Sequence, residues 1–108
     1  MAHRASVVRG EVWWASTPAG DRPVLVLTRD PIADRIGAVV VALCTRRVRD
    51  LISELPLGPE DGMPETSVVS FDNLQTLPKE AFRRRITRLS EEKMQEACEV
   101  LSIALGCV

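Results

Sequence analysis

The stretch from Arg9 to Thr28 constrains the fold of this chain more than any other part. It runs Arg9-Gly10-Glu11-Val12-Trp13-Trp14, turns through Pro18-Ala19-Gly20-Asp21, and continues as Arg22-Pro23-Val24-Leu25-Val26-Leu27-Thr28. The first run is aromatic and alternating, and the second is continuously apolar. They read as strands over Glu11–Ala15 and Pro23–Thr28, joined by a tight polar loop. Arg22 stands at the mouth of the second strand, where its guanidinium has to meet something wet or charged. An anionic ligand in a groove satisfies it, and so does an ion pair with Glu11 or Asp21.

The rest of the chain keeps to short elements. Met1–Val8 reads as a frayed start, and Asp30-Pro31 ends the second strand because proline removes a ladder donor and disfavours helix before it. Gly37–Cys44 is the most apolar stretch, and its β-branched residues favour a strand buried on both faces. A fourth strand is expected from about Ser53 to Leu57, with Gly58-Pro59-Glu60-Asp61-Gly62 as the turn after it. Ser67–Phe71 and Arg85–Leu89 complete the strands, with a helical turn over Pro78–Arg83 between them. Ser90 is a good N-cap ahead of Glu91 and Glu92, which suit the helix dipole. Met94, Ala97, Cys98, Leu101, Ala104 and Leu105 follow helical spacing, and Gly106 is placed to end the helix. The pattern predicts a mainly β fold with a short C-terminal α-helix, a small and strongly bent barrel.

Composition narrows the functional classes. The 108 residues suit one domain spanning 1–108, and 45% apolar content without a low-complexity tract predicts a globular fold. No apolar run approaches about twenty residues and no signal-peptide core is visible, so the expectation is a protein neither secreted nor inserted in a membrane. Cys44, Cys98 and Cys107 are odd in number, far apart and without a CxxC, as expected for free thiols of a cytoplasmic protein. His3 is the only histidine and there is no tyrosine, which removes Ser-His-Asp triads, Cys-His pairs and His-based metal sites. With no P-loop and no GxGxxG either, no nucleotide cofactor motif is visible, and a hydrolytic or transfer site has to use Arg, Asp, Ser, Thr or Cys.

The net charge of −1 hides segregation along the chain. Basic residues outnumber acidic ones eight to four up to Arg49, none occurs from Asp50 to Pro78, and Lys79, Arg83, Arg84, Arg85 and Arg88 then stand against Glu80 alone. A neutral total argues against coating long duplexes, whereas a basic face suits a grip on a short single strand. Arginine is well matched to one chemical task, neutralising charge that develops on a phosphoryl group.

Five pieces in order carry a resemblance: Arg9-Gly10-Glu11-Val12-Trp13-Trp14, Arg22-Pro23-Val24-Leu25-Val26-Leu27, a strand closing in Leu43-Cys44-Thr45, Ser67-Val68-Val69 ahead of Asp72-Asn73, and Arg85–Leu89 before a short helix. Over about Arg9 to Leu105 the chain resembles the MazF/PemK family. That resemblance implies an SH3-like barrel of the MazF/PemK/CcdB type and a metal-independent endoribonuclease toxin of a toxin–antitoxin pair. It also implies a homodimer that cuts single-stranded RNA at short sequences and is neutralised by a MazE-like antitoxin in the RNA groove.

By position, Arg22 matches the family's catalytic arginine, Thr45 the threonine or serine ending the third strand, and Asp72 an acidic residue that some members use in cleavage or substrate contact. Arg46, Arg47, Ser70, Asn73 and Gln75 are the implied RNA contacts. Ser70 departs from the basic residue that some members carry there, and the Thr17–Asp21 loop is shorter than in many relatives. The chemistry is coherent, because RNA cleaves itself when its 2′-OH attacks the adjacent phosphorus, leaving a 2′,3′-cyclic phosphate and a 5′-OH. The protein then has to hold an in-line geometry and stabilise negative charge, tasks open to Arg22 and the Thr45 hydroxyl. Asp72 has suitable chemistry for taking the 2′-OH proton, and Thr45 also reads as a strand-ending hydroxyl bonded to local backbone. Two rival readings are an antitoxin-like binding module and a non-catalytic barrel that acts on a protein partner such as gyrase.

Overall fold

The computed structural model describes residues 7–29 and 37–107. Strands β1 (Glu11–Thr17), β2 (Gly20–Val26), β3 (Ala38–Thr45), β4 (Glu54–Leu57), β5 (Ser67–Pro78) and β6 (Phe82–Arg88) precede helix α1 (Glu91–Leu105). All six lie in one antiparallel sheet in the order β4-β5-β3-β2-β1-β6. The sheet bends into a half-barrel whose edges are β4 and β6. The segment after β4 spans the gap between them: Thr87 of β6 donates its hydroxyl to the Asp61 carbonyl at 2.9 Å. Gly62 carries φ +90°, and a Cβ there would lie 2.1 Å from Thr87 Oγ1, so the close approach requires glycine.

Side-chain alternation splits the core between the two faces of the sheet. Trp13, Ala15, Val24, Val26, Val39, Val41 and Leu43 share one cluster, closed by Phe82 and Leu77. Val12, Leu25, Ala42 and Cys44 point the other way, toward Leu55, Phe71 and Ala97. β3 is therefore buried on both faces as expected, except at Val40, which is exposed. α1 begins at Ser90, whose hydroxyl accepts from the Lys93 N–H at 3.1 Å, and ends at Gly106 in the left-handed conformation. Of its predicted stripe only Ala97 is fully buried. Met94, Leu101 and Ala104 cover the second cluster, while Leu105 stays exposed.

Several boundaries differ from expectation. β1 runs on to Thr17 and β2 starts at Gly20, leaving Pro18-Ala19 as the turn, because Thr17 Oγ1 accepts from Ala19 N and donates to Gly20 O. Arg22 is thus the third residue of β2, not the residue before it. β5 does not stop at Phe71 but continues to Pro78, since the eight residues of β3 need a partner along their whole length. A bulge makes this possible: Leu43 pairs with Ser70 but Ala42 pairs with Leu74, so Phe71, Asp72 and Asn73 are looped out. The helical turn shrinks to Lys79–Ala81, and β6 opens at Phe82. Asp30-Pro31 and His3 lie outside the described residues.

Glu11 is the charged residue around which the β1 side is organised. It is 4% exposed and accepts from Val8 N (2.8 Å), Trp13 Nε1 (3.0 Å) and Arg85 Nη1 (3.1 Å). Trp13 itself packs edge-on against Phe82 at 5.9 Å between centroids. Removing the carboxylate strands the buried Trp13 N–H and the half-buried Val8 N–H, so Glu11→Ala is expected to lower folding stability by about 3 kcal/mol. A urea transition whose midpoint falls with unchanged slope checks this, and an unchanged midpoint refutes it.

Candidate active site

The ladder between β2 and β3 ends early, and that ending makes the site. Its last pair is Val24 with Leu43. Continued by one step, the register would set Pro23 against Cys44, and by two steps Arg22 against Thr45. Pro23 has no N–H to donate, so the ladder cannot close there and the strands part. β2 stays with β1, where Arg22 pairs with Ala15. β3 stays with β5, where Thr45 pairs with Val68. The result is a fork with Arg22 on one prong and Thr45 on the other.

Two clefts meet at this fork. One, of about 300 Å³, is lined by Arg22, Thr45 and Arg46 together with Trp14, Glu65 and Arg84. The other, of about 410 Å³, is lined by Arg22, Thr45, Arg47, Arg49, Glu54, Ser70 and Asn73. Only Arg22, Cys44 and Thr45 line both. These volumes lie in the range of small-ligand sites.

Arg22 is half-buried, and its guanidinium makes no hydrogen bond or ion pair among the described residues. Neither internal partner proposed from the sequence is used: Glu11 is committed to Arg85, Trp13 and Val8, and the adjacent Asp21 carboxylate takes no cation among the described residues. Thr45 Oγ1 accepts from Arg47 N at 3.1 Å, the local backbone bond expected of a strand-ending hydroxyl. That bond leaves the hydroxyl proton available to a ligand in the cleft. Arg46 pairs with Glu65 at 3.1 Å, but both side chains are largely exposed, so the pair contributes at most about 1 kcal/mol. An incoming phosphate can therefore recruit Arg46 readily. Cys44 is fully buried, and burial pushes its thiol up to about 12, so it stays protonated at neutral pH.

The remaining residues singled out from sequence divide into two groups. Ser70 and Asn73 line the second cleft and are joined to each other, with Asn73 Nδ2 donating to Ser70 Oγ at 3.2 Å. Asp72 lines neither cleft: the bulge turns it outward, and its carboxylate accepts from the Ser53 hydroxyl. Gln75, across from Val41 beyond the bulge, lines neither cleft as well. Conversely, Trp14, Arg84, Arg49 and Glu54 were not foreseen. Arg49 belongs to the same basic run as Arg46 and Arg47, which was a usable signal, whereas nothing local marks Glu54. Among the described residues no group of three His, Cys, Asp or Glu side chains is arranged to hold a metal ion, and no helix is long and apolar enough to cross a membrane.

Fold and site together describe a small antiparallel half-barrel with an arginine-lined fork on its open side. Residues 8–105 match the family of PemK-like, MazF-like toxins of type II toxin-antitoxin systems, and the chain belongs to that family. It is 62% identical, over 92% of its length and 98% of the relative's, to Probable endoribonuclease MazF2 of Mycobacterium tuberculosis. The solved structure of Mycobacterium tuberculosis toxin MazF-mt6 superposes with a TM-score of 0.84 at 33% identity, covering 91% of this chain and 98% of that one. A mycobacterial endoribonuclease in complex with its cognate antitoxin superposes with a TM-score of 0.84 at 25% identity, over 94% and 97% of the two chains.

Proposed function

We propose that this chain, acting as one domain over residues 1–108, is an endoribonuclease toxin that cuts single-stranded RNA at the Arg22–Thr45 fork. One observation carries the reading: an arginine without a partner among the described residues stands opposite a threonine hydroxyl where two clefts join. A scissile phosphate seated there receives the forked guanidinium on its nonbridging oxygens and the Thr45 hydroxyl beside it. The 2′-OH gives its proton to solvent as its oxygen attacks phosphorus, the P–O5′ bond breaks, and the 5′-oxygen leaves with its electron pair and takes a proton from water. Arg46 and Arg47 hold flanking phosphates, and Ser70 and Asn73 meet the bases in the second cleft. Asp72 and Gln75 reach RNA only where the strand continues beyond the bulge. A barrel that acts solely by binding a protein has no need of such a pair.

The names of the similar proteins support the same activity, and the neighbour solved with its cognate antitoxin supports an antitoxin partner, which in this reading occupies the arginine-lined groove and competes with RNA. Exposed apolar side chains on the barrel rim and helix, Ile52, Ile103 and Leu105, favour isologous pairing into a homodimer. The tryptophans are not that surface, as Trp13 is buried and Trp14 lines the first cleft. Three free cysteines suit the cytoplasm, where RNA and antitoxin are met.

Incubation of the purified protein with a long RNA in EDTA is expected to yield discrete fragments ending in 2′,3′-cyclic phosphate and 5′-OH. Intact RNA with retained binding would leave a binding module instead, and 3′-OH ends would exclude attack by the 2′-oxygen.

A further inference from the structure

Between Thr45 and β4 the chain leaves the sheet over residues 46–53, of which Arg47 and Arg49 line the second cleft. No ladder holds this segment, yet it carries Arg47 and Arg49. Arg46 pairs with Glu65, Ser53 bonds to Phe71 N and Asp72, and two further side chains, Thr45 and Glu54, hold the backbone around the two arginines. At the near end Thr45 Oγ1 accepts from Arg47 N at 3.1 Å. At the far end Glu54 Oε1 accepts from Arg49 N at 3.0 Å and from Leu51 N at 3.5 Å, while Glu54 N donates to Leu51 O at 3.1 Å. Asp50, between the two held N–H groups, takes a left-handed φ of 54°. Such a turn is sparsely populated by non-glycine residues unless the surroundings impose it.

Glu54 is 9% exposed, and a buried carboxylate is costly unless it is compensated. The Arg49 and Leu51 N–H groups supply that compensation, and Glu54 lines the same cleft as Arg22, Arg47 and Arg49.

We propose that Glu54 is a positioning residue: it sets Arg49 against the second cleft, so that Arg47 and Arg49 grip the phosphate next to the one cut at the fork. This rests on the reading of single-stranded RNA as the substrate. Arg49 supplies the contact and Glu54 acts through it.

The test uses the full chain, a short single-stranded RNA that it cuts, and the same RNA with deoxyribose at the cut site as an uncleavable probe. Glu54→Ala raises both KM for the cleavable RNA and Kd for the probe by about tenfold, with kcat within about twofold. It also lowers the slope of log Kd against log salt by about 0.7, the signature of one lost phosphate contact on a single strand. Glu54→Gln, whose amide oxygen still accepts from both N–H groups, recovers most of the affinity. Arg49→Ala gives the same loss as Glu54→Ala, and the double variant adds little. The Arg49 side chain is exposed, so its removal tests the contact even where Glu54→Ala does not fold.

An Arg49→Ala protein that binds the probe like wild type overturns the proposal, as do additive effects of the two substitutions. A fall in kcat at unchanged KM for Glu54→Ala also overturns it and makes Glu54 a participant in proton transfer. A wild-type protein that neither binds nor cuts RNA overturns the nuclease reading itself, whereas normal cutting by every variant overturns only this inference.

Discussion

Replacing Arg22 by alanine lowers the rate of RNA cleavage by about a hundredfold or more, the loss expected when one preorganised donor to developing charge is deleted. Stability should barely move. The guanidinium has no internal partner among the described residues, so its removal strands no buried group, and a partly exposed site of this kind shifts folding by about 0.5 kcal/mol at most. Arg22→Lys should recover little, because an ammonium cannot fork onto two phosphate oxygens. Thr45→Ala should act in the same direction but more mildly, since it removes one neutral donor and also frees the Arg47 N–H that anchors the loop. Cleavage timed on a gel, with a urea melt beside it, decides the matter. A folded Arg22→Ala protein that cuts at near-normal rate removes Arg22 from the chemistry.

Deoxyribose at the cut site should abolish cleavage altogether while leaving binding close to that of the ribose substrate. The thiol shared by both clefts, Cys44, is fully buried and pushed up to about 12, and the Thr45 hydroxyl donates to no base among the described residues, so neither is activated for attack. The sequence holds no tyrosine and a single histidine, His3. In the mechanism proposed above the 2′-OH is the attacking group, and Arg22 and Thr45 hold and neutralise what it attacks. Continued cutting of the deoxy-substituted RNA would mean attack by water, and the division of labour between RNA and protein proposed here would be wrong.

Much of the fold was readable from residue order. The Trp13-Trp14 run, the apolar stretches after Pro23 and Gly37, and the Ser90 cap ahead of Glu91 and Glu92 each announce an element through its own neighbours. The later strands were less legible. β5 carries Asp72, Asn73, Gln75 and Thr76, polar residues that read as loop, and its continuation depends on the unpaired length of β3 rather than on any propensity of its own. β6 begins in Phe82 and runs through three consecutive arginines, which an edge strand tolerates because side chains on both of its faces reach water there.

The site divides in the same way. Sequence alone determined that an arginine precedes a proline at the head of an apolar run, that a threonine ends another, and that a basic run follows it. These are local patterns set by backbone sterics and side-chain alternation over a few residues. Only the tertiary structure decided that Arg22 faces Thr45, because that depends on a register between segments about twenty residues apart and on where Pro23 interrupts it. It also decided that the bulge carries Asp72 away from both clefts, and that Glu54, unmarked in the sequence, closes the arginine-bearing loop. Register and loop closure are fixed by the summed burial and hydrogen bonding of the whole sheet, so no window of the chain contains them.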